Sequence, residues 1–452
     1  MDEVKLPSSW DRISLDEISN FIDYRGRTPL KTTSGIPLIT AKNIRNGFIN
    51  PEPREYISED DYDDWMTRGI PQFGDVVITT EAPMGNVAII KIKEKFAMAQ
   101  RAICLQFYEY EMSRFSHYAL RSPEFQKLLT LNATGTTVSG IKAATLKKLK
   151  LPIPSLLEQK IIADKLDSLL AQVNSTKARL EKIPQTLKRF RQAVLAAAVS
   201  GKLTEEWRGT TILIDWKKGI LKNFIKKPSY GTSAKSHKEG LIPVLRMGNL
   251  QSGKLDWSDL VYTSDKNEIE KYKLIAGDIL FNRTNSPELV GKTSIYRGER
   301  DAIYAGYLIK VQCLDGLNPE YLNYHLNSHI AKQYCHEVKS DGVSQSNINA
   351  QKLAAYPLIV PSIEEQAEIV RRVEQLFVYA DAIEKQVQNA LDRVRNLTQS
   401  ILAKAFRGEL TAQWRVENPD LISGENSAQA LLVQIQQQRS SIKTIKRGKG
   451  NS

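Results

Sequence analysis

The chain repeats part of its own sequence at an offset of about 207 residues, and this repeat limits the possible folds more than any other feature. The segment Leu195–Arg208 (LAAAVSGKLTEEWR) recurs as Leu402–Arg415 (LAKAFRGELTAQWR). At the same offset, Leu151–Gln159 (LPIPSLLEQ) recurs as Leu358–Gln366 (LIVPSIEEQ). Matches in the same order predict two copies of one structural unit rather than two unrelated domains.

Weaker matches extend each copy towards its N-terminal end. Ile36–Asn43 (IPLITAKN) resembles Ile242–Asn249 (IPVLRMGN), and Gly74–Val77 resembles Gly277–Leu280. The offsets of these pairs differ from the first by only a few residues, so the two halves differ mainly in short loops. Each copy therefore has a variable stretch of roughly 150 residues and a better matched stretch of roughly 55 residues.

The better matched stretch predicts a long helix in each half. Ser155 and Ser362 each follow a proline and precede a glutamate by three residues, which is the pattern of a helix start with a capping box. Gly201 and Gly408 are natural C-terminal stops, and Pro184 predicts a kink in the first helix. Apolar residues recur at alternating steps of four and three, which is typical of a left-handed coiled coil. These heptad positions are Ile162, Leu166, Leu169, Val173, Thr176, Leu180, Ile183, Leu187, Phe190 and Val194, with Ile369, Val373, Leu376, Ala380, Ile383, Val387, Ala390, Val394, Leu397 and Ile401.

Two such helices in one chain can serve as partners for each other. An antiparallel pair would place the two variable stretches at opposite ends of a stiff rod, and Ile162–Val194 alone would span ~48 Å at ~1.5 Å per residue. The alternative is that each helix lays one amphipathic face on a globular core. The length of the pattern and its occurrence in both halves favour the coiled coil.

The variable stretches predict two compact, mostly β domains of the α+β class. Their strand-like segments are short and follow glycine, turn signals separate them, and each stretch ends in a helical segment. The C-terminal segment is polar, and we interpret it as a frayed end or a solvated helix with a basic terminus rather than a DNA-binding arm. The predicted pseudo-two-fold tandem repeat thus has a first domain (1–154), a spacer helix (155–205), a second domain (206–361), a second spacer helix (362–412) and a tail (413–452).

Composition indicates an anionic partner and a reducing compartment. The 63 Lys and Arg residues outnumber the 51 Asp and Glu residues, which gives a net charge of +12 and a pI near 9.3. This balance is typical of nucleic-acid-binding proteins, although many basic proteins bind none. No apolar run approaches the ~20 residues of a membrane helix, the N-terminus lacks a secretory pattern, and three scattered cysteines make no disulfide framework. We expect a cytoplasmic protein.

The sequence carries no complete catalytic or cofactor-binding motif. Gly248–Lys254 (GNLQSGK) has the spacing of a phosphate-binding loop, but Leu255 stands where the loop needs Ser or Thr for Mg²⁺. There is no G-x-G-x-x-G fingerprint, no amino-methyltransferase tetrapeptide and no common nuclease signature. His325 and His329 are spaced for a metal on a helix, but the first half does not repeat them, so a packed or solvated helix face is favoured. We therefore expect neither catalysis nor a metal or cofactor bound by this chain.

The ordered set of motifs resembles the specificity (S) subunit of type I restriction–modification systems along nearly the whole chain. The resemblance rests on the two repeated pairs above, the heptad helices, and the blocks Gly74–Ala88 (GDVVITTEAPMGNVA) and Gly277–Arg283 (GDILFNR). The resemblance implies that each variable stretch is a target-recognition domain that reads half of a bipartite duplex DNA site. It also implies that the helices set the spacer and dock the methyltransferase (modification) subunits, two per chain, which would bind S-adenosylmethionine. Restriction subunits are a further expected partner, and the alternative is a non-enzymatic coiled-coil scaffold for proteins.

Candidate reading residues follow from the chemistry of base edges, which Arg, Lys, Asn, Gln, Ser and Thr contact. Polar clusters after predicted strands occur at equivalent places in the two halves, although ordinary turn chemistry explains any single member equally well. Basic residues near these clusters are candidates for phosphate contacts. The first domain supplies Arg25, Arg27, Lys31, Thr40, Lys42, Asn43, Arg45, Thr79, Thr80, Glu81, Arg101, Thr136, Thr137, Ser139 and Lys142. The second supplies Lys226, Arg246, Asn249, Asn282, Arg283, Thr284, Asn285, Ser344, Gln345, Ser346 and Asn347.

Overall fold

The chain forms two compact units, each containing one variable stretch and part of both long helices. The computed structural model describes residues 5–25, 28–135, 139–213, 215–342 and 345–448, and only the backbone of 441–448. Unit 1 comprises Met1–Arg179 and Ala390–Ser452, and unit 2 comprises Leu180–Asn389. The unit boundaries therefore fall inside the helices, whereas the predicted domain boundaries fall at the helix ends.

Short strands dominate the variable stretch of unit 1. The strands are β1 (Asp11–Ser14), β2 (Ser19–Asp23), β3 (Ile36–Ile39), β4 (Ile44–Arg45), β5 (Phe48–Ile49), β6 (Tyr56–Ile57), β7 (Val76–Thr79), β8 (Val87–Ile89), β9 (Ala97–Met98), β10 (Ala102–Phe107) and β11 (Lys150–Ile153). The helices are α1 (Leu15–Ile18), α2 (Tyr62–Trp65), α3 (Met112–Leu120), α4 (Pro123–Leu131) and α5 (Ala143–Lys148). The long helix α6 (Leu156–Val199) follows.

Unit 2 has the same organisation. Its strands are β12 (Lys217–Ile220), β13 (Ser229–Tyr230), β14 (Ile242–Leu245), β15 (Leu250–Gln251), β16 (Lys254–Leu255), β17 (Val261–Thr263), β18 (Ile279–Asn282), β19 (Thr284–Asn285), β20 (Thr293–Ile295), β21 (Ile303–Tyr304), β22 (Leu308–Val311), β23 (Ser340–Asp341), β24 (Ser346–Asn347) and β25 (Pro357–Val360). Its helices are α7 (Glu205–Arg208), α8 (Lys266–Tyr272), α9 (Pro319–Asn327), α10 (His329–Val338) and α11 (Ala350–Ala354). The chain ends with α12 (Ile363–Phe406), α13 (Ala412–Glu417) and α14 (Ala428–Gly448).

Equivalent strands form equivalent sheets in the two units. A four-stranded antiparallel sheet has the order β2-β10-β7-β8 in unit 1 and β13-β22-β18-β20 in unit 2. A three-stranded sheet has the order β6-β3-β9 and β17-β14-β21, respectively. The pairs β1-β11 and β12-β25 join the start of each variable stretch to its end. The predicted α+β class and tandem repeat are confirmed.

One inner strand of each four-stranded sheet, β7 in unit 1 and β18 in unit 2, is buried on both faces. Val76 and Ile78 of β7 pack into one apolar core, whereas Val77 between them packs into a second core. In β18, Ile279 and Leu280 likewise face different cores. Successive side chains of a strand point to opposite faces, so a continuous apolar run suits a sheet that is covered on both sides.

The two long helices have 44 residues each and pack together within both units. In unit 1, Ile162 of α6 and Phe406 of α12 belong to one apolar core. In unit 2, Val194 of α6 and Ile369 of α12 do so. Helix α6 begins in unit 1 and ends in unit 2, whereas α12 begins in unit 2 and ends in unit 1, so the helices run in opposite directions.

The heptad pattern correctly identified the packed face of these helices. Of the twenty predicted positions, only Thr176 and Leu397 are exposed. The hydroxyl of Thr176 donates a hydrogen bond to the carbonyl of Gln172 (2.9 Å), as a threonine on a solvated helix face commonly does. Helix α6 continues past Pro184 to Val199. Gly201, two residues beyond its end, has a φ of +76°, the left-handed conformation of a helix stop.

The predicted capping boxes are only half correct. The hydroxyls of Ser155 and Ser362 accept hydrogen bonds from the backbone N–H groups of Glu158 and Glu365 (3.3 Å in each case), as predicted. The carboxylate of Glu158, however, does not return to the helix start. It is buried, and it accepts hydrogen bonds from Trp10 Nε1 (2.9 Å) and from Thr411 Oγ1 (2.6 Å).

An arginine completes this buried cluster. Arg415 forms an ion pair with Glu158 and donates a second hydrogen bond to the carbonyl of Gly408, at the end of α12. Trp10 comes from the first variable stretch and Arg415 from the end of the second repeat, so the cluster joins both chain ends within unit 1. In unit 2 the same cluster consists of Glu365, Trp216, Thr204 and Arg208.

The C-terminal segment differs from the predicted frayed or solvated tail. Helix α14 buries Leu431 and Ile435 in the apolar core of unit 1. Arg439 forms an ion pair with Asp16 of α1 (2.8 Å). The segment was predicted to be solvated because its overall composition is polar. Leu431 and Ile435 are four positions apart, so they lie on one face of a helix and can be buried together.

Candidate nucleic-acid interface

The candidate interface lies at the C-terminal end of β7 in unit 1 and of β18 in unit 2. In unit 1, Thr80 follows β7, and its backbone N–H donates to the carbonyl of Arg101 (2.9 Å). The carbonyl of Thr80 accepts from the backbone N–H of Ile141 (3.0 Å). Three separate loops therefore meet at this residue. In unit 2, Arg283 makes the same two bonds with Tyr307 (3.1 Å) and Ile348 (2.8 Å).

A cleft of about 260 Å³ opens at this point in unit 1. Five of the predicted residues line it together, and we call it cleft 1: Arg25, Thr80, Glu81, Arg101 and Lys142. Sequence reasoning missed its neighbour Gln100, which follows no predicted strand. The structure thus gathers residues that are up to 117 positions apart in the chain.

The two arginines of cleft 1 both have a carboxylate partner. Arg25 binds Asp23 (2.7 Å), and although burial raises the pKa of Asp23, the hydrogen bonds from Arg25 lower it below its usual value, so this carboxyl stays ionised. Arg101 binds Glu81 (2.9 Å). Arg101 also has a φ of +76°, a conformation that costs a non-glycine residue on the order of 1 kcal/mol and that clusters at functional sites.

The equivalent cleft of unit 2 is larger, at about 570 Å³. We call it cleft 2. Three of its lining residues were predicted to read DNA, whereas two other polar lining residues, Thr232 and Tyr307, were not predicted. No spacing in the sequence marks these two, because they come from loops outside the repeated matches. The predicted residues are Arg246, Arg283 and Thr284.

The arginines of cleft 2 are less neutralised than those of cleft 1. Arg246 binds Asp259, a largely exposed carboxylate (3.0 Å). The guanidinium of Arg283 lies 4.8 Å from the centre of the Tyr230 ring, and it has no carboxylate partner among the described residues. The buried Nε atoms of both arginines have no hydrogen-bond partner within the described chain. Arg283 is therefore the cation of cleft 2 that can pair with an anionic ligand.

Further predicted groups border the two clefts. Strand β19 pairs with β24, which places Thr284 opposite Asn347, and Asn347 Nδ2 donates to Thr284 Oγ1 (2.7 Å). In unit 1, Glu81 forms a β-bridge with Gly140, next to the predicted Ser139. The predicted loop groups of each unit thus converge, as expected if they form one surface.

Two predicted asparagines shape loops instead of facing a ligand. Asn43 and Asn249 are buried, with 1% and 3% of their surfaces exposed. The amide of Asn43 donates to the carbonyls of Asn50 and Pro53 (3.0 Å each), and its oxygen accepts from the backbone of Thr40 (2.9 Å). Asn249 makes the equivalent bonds in unit 2. Their amide groups are therefore already used.

The remaining predicted residues differ in exposure. Lys31 and Lys42 share the carboxylate of Glu55 (2.8 Å and 3.7 Å). The buried residues, whose side chains face the protein interior, are Thr40, Thr79, Asn282 and Ser346. The exposed residues are Arg45, Ser139, Lys226 and Gln345, and Asn285 is half-buried. The predictions for Arg27, Thr136, Thr137 and Ser344 lie outside the described residues.

The histidine pair is not arranged as a metal site. His325 is buried, and its Nδ1 lies 2.9 Å from the hydroxyl of Tyr356. Burial lowers the pKa of His325 to about 4. In the part of the chain that the structure describes, no group of three or more His, Cys, Asp or Glu residues could hold a metal ion. None of the described helices is long and apolar enough to cross a membrane.

Comparison with known proteins identifies the family of this repeat. The family described as type I restriction modification DNA specificity domain matches residues 7–185 and again residues 214–393. The chain belongs to this family. The two matches correspond to the two copies of the repeat that the sequence shows.

Several relatives match along almost their entire length. The chain is 39% identical over 461 residues to the type I restriction enzyme EcoKI specificity subunit of Escherichia coli strain K12, and covers 97% of both chains. It is 38% identical to the StySPI specificity subunit of Salmonella potsdam, again with 97% of each chain covered. Such long matches show that both copies of the repeat, each with its long helix, are shared.

Solved structures show the same fold. One chain, from a structure describing complex assembly and conformational transition of the type I R-M system, has a TM-score of 0.69 at 19% identity, covering 90% of this chain and 99% of that one. The HsdS subunit from Thermoanaerobacter tengcongensis has a TM-score of 0.59 at 18% identity, covering 90% and 98%. The fold is therefore that of known specificity subunits.

Proposed function

We propose that this chain is the DNA-specificity subunit of a type I restriction–modification enzyme. The observation that carries the proposal is that both units place a polar, arginine-bearing cleft at the same point of the same fold, in a member of the specificity-domain family. Arginine is the commonest side chain in specific base contacts, where its donors pair with guanine O6 and N7. The chain would act in the cytoplasm, where it meets duplex DNA.

Each cleft would read one half of a bipartite site. Two similar reading units suit the two-fold symmetry of duplex DNA, in which half-sites one helical turn apart are ~34–36 Å from centre to centre. The two clefts carry different residues at equivalent positions, with Thr80 in unit 1 and Arg283 in unit 2. The half-sites should therefore differ in sequence, and the target should be asymmetric.

The long helices would set the unread spacer between the half-sites. They would also dock two modification subunits, which would bind S-adenosylmethionine and methylate adenine, and restriction subunits could join them. The specificity chain itself would have no catalytic role, because its sequence carries no complete motif for either reaction. Relatives named specificity subunits of restriction enzymes support this division of labour.

Binding and activity measurements on the purified chain test the proposal. We expect duplex DNA binding that weakens steeply with salt, because Lys and Arg side chains displace counterions from phosphates. We expect no methyl transfer until modification subunits are added. Binding of proteins but not of duplex DNA would favour the scaffold alternative, and methylation by the chain alone would overturn the non-catalytic assignment.

A further inference from the structure

Unit 1 contains a second, strongly cationic cleft that shares no lining residue with cleft 1. Its volume is about 730 Å³. Four Lys or Arg side chains line it together with one histidine and a single carboxylate. We call it the cationic cleft, and its charged and titratable residues are Lys91, Arg114, His117, Arg121, Asp167 and Lys177.

The single carboxylate of the cationic cleft is already engaged. Asp167 accepts hydrogen bonds from the hydroxyl of Tyr118 and from Arg114. Burial raises the pKa of Asp167, but these hydrogen bonds outweigh burial and hold the pKa below its usual value. Arg114 also binds Asp164 (2.9 Å). Asp167 is therefore engaged with Arg114 and Tyr118, and neither it nor Asp164 contacts Arg121.

Arg121 is the cation that lacks a counterion. Its Nε donates to Asn46 Oδ1 (2.8 Å), and its Nη1 lies 3.0 Å from His117 Nε2. Among the described residues, no carboxylate contacts this guanidinium. Burial lowers the pKa of Arg121. A partly desolvated charge without a counterion is unfavourable, so the site gains stability when an anion binds.

His117 supplies a second unpaired group at the same place. Only 5% of its surface is exposed, and burial lowers its pKa to about 3, so the ring is neutral at physiological pH. Because Nε2 faces a guanidinium donor, it accepts, and the proton of the neutral ring is then on Nδ1. Nδ1 is buried, and the described chain provides no partner for it.

The equivalent position of unit 2 shows that the fold does not need these cations. There Asn323 and Asn327 pack against Gly253, as Arg121 packs against Gly47. The amide of Asn323 donates to the carbonyl of Gly253 (3.1 Å), and that of Asn327 donates to the carbonyl of Asn323 (2.8 Å). Two neutral side chains thus satisfy the site within the protein, whereas unit 1 replaces them with a cation and a histidine.

We propose that the cationic cleft of unit 1 binds a phosphate group through Arg121 and His117. The bonds to Asn46 and His117 leave the two N–H donors of Nη2 and one of Nη1 on Arg121 for phosphate oxygens, and the buried imidazole N–H of His117 adds a further donor. Lys91, which lines the same cleft, would be close to the remaining charge of the ligand. The phosphate is either a backbone phosphate of duplex DNA, in which case the site rests on the function proposed above, or a free phosphate.

The double variant His117→Asn/Arg121→Asn tests the cleft with the full-length chain. It installs the residue pair that unit 2 already accommodates, so the variant should fold, and its thermal unfolding is compared with that of the wild type. Calorimetric titration with inorganic phosphate measures the free ligand. The salt dependence of binding to a duplex oligonucleotide measures a backbone contact, because each lost phosphate contact lowers the slope by about 0.9.

Either of two results supports phosphate binding by the cationic cleft and identifies the source of the phosphate. Phosphate binding at least tenfold weaker in the double variant than in the wild type indicates a free phosphate. If neither chain binds inorganic phosphate, but the salt dependence of DNA binding has a slope lower by about 1 in the double variant, the ligand is a backbone phosphate. Arg297→Gln, which removes a charge that is ion-paired with Glu320 in unit 2, should change neither measurement.

Equal phosphate binding and equal DNA slopes in the wild type and the double variant would overturn the proposal. Arg121→Lys retains the charge but not the paired donors, and it should restore only part of the lost binding. A wild-type chain that binds phosphate but no DNA would refute the function proposed above while leaving the cleft supported.

Discussion

A single buried carboxylate organises the junction between helix and domain in each unit. Glu158 and Glu365 occupy the same place in the repeated motif, and each holds a tryptophan, a threonine and an arginine from different segments. The neighbouring Gln159 and Gln366 donate to the carbonyls of the prolines before each helix (3.0 Å). The repeated Glu-Gln pair therefore fixes both the start of the long helix and its attachment to the sheets.

Removing the carboxylate of Glu158 should destabilise unit 1. In Glu158→Ala, the guanidinium of Arg415 and two neutral donors lose their buried acceptor, and breaking a buried pair in this way costs about 3–5 kcal/mol. Thermal unfolding should show a markedly lower midpoint. Glu52→Ala, which removes an exposed carboxylate that is paired with the nearby Arg54, should leave the midpoint almost unchanged. Equal effects of the two substitutions would show that the buried cluster contributes little.

Two buried histidines should make the chain sensitive to mild acid. Burial lowers the pKa of His117 to about 3 and that of His325 to about 4, below the ordinary value of ~6.5. The unfolded chain therefore takes up protons first as the pH falls, so stability is complete above pH ~6.5 and decreases below it. From pH 6.5 to pH 5 each histidine should cost about 2 kcal/mol.

Denaturant unfolding of His117→Asn at both pH values measures this effect. The variant should lose about 2 kcal/mol less than the wild type between pH 6.5 and pH 5, since asparagine does not titrate. His325→Asn should reduce the loss by a similar amount, because burial also lowers the pKa of His325. The same pH dependence in the wild type and His117→Asn would show that folding does not lower the pKa of His117.

The long helices were the most predictable elements, because their signal is local and extended. Steps of four and three repeat over many turns, and they identified packed positions such as Ile162 and Val373 correctly. The role of Glu158 could not be predicted, because Thr411 is 253 residues away in the chain. For the same reason the sequence could not separate Asn43, which is buried in its own loop, from Arg283, whose guanidinium borders a cleft.

If the helices set the spacer, their length should determine it. Four residues inserted after Val173 lengthen α6 by ~6 Å and add slightly more than one turn, so the orientation of the following segment changes little. Duplex DNA rises ~3.4 Å per base pair, so the preferred spacer should grow by one or two base pairs while the half-sites stay the same. The insertion adds a stutter to the coiled coil, and some loss of stability is also expected.

Methylation mapping with this variant and the modification subunits provides the measurement. A substitution of Val173 by leucine, without an insertion, controls for local repacking in the helix. An unchanged spacer with full activity would show that these helices do not measure the distance between the half-sites.

At the scale of the whole molecule, the repeat gives two units with the same plan and different residues in their clefts. Unit 1 needs both ends of the chain, because Trp10 and Arg415 meet at Glu158. Unit 2 is built from one continuous segment, Leu180–Asn389. Each unit has its own apolar cores and its own cleft, so each half of the DNA site should be read independently of the other.

The most direct test of this account replaces residues 1–150 with the equivalent domain of another specificity subunit and maps methylated adenine in DNA by sequencing. The wild-type chain with its modification subunits should methylate one asymmetric, bipartite motif. The hybrid should change one half-site and leave the other half-site and the spacer as they were. A hybrid that changes both half-sites, or a wild-type motif without an unread spacer, would contradict the reading of one half-site by each unit.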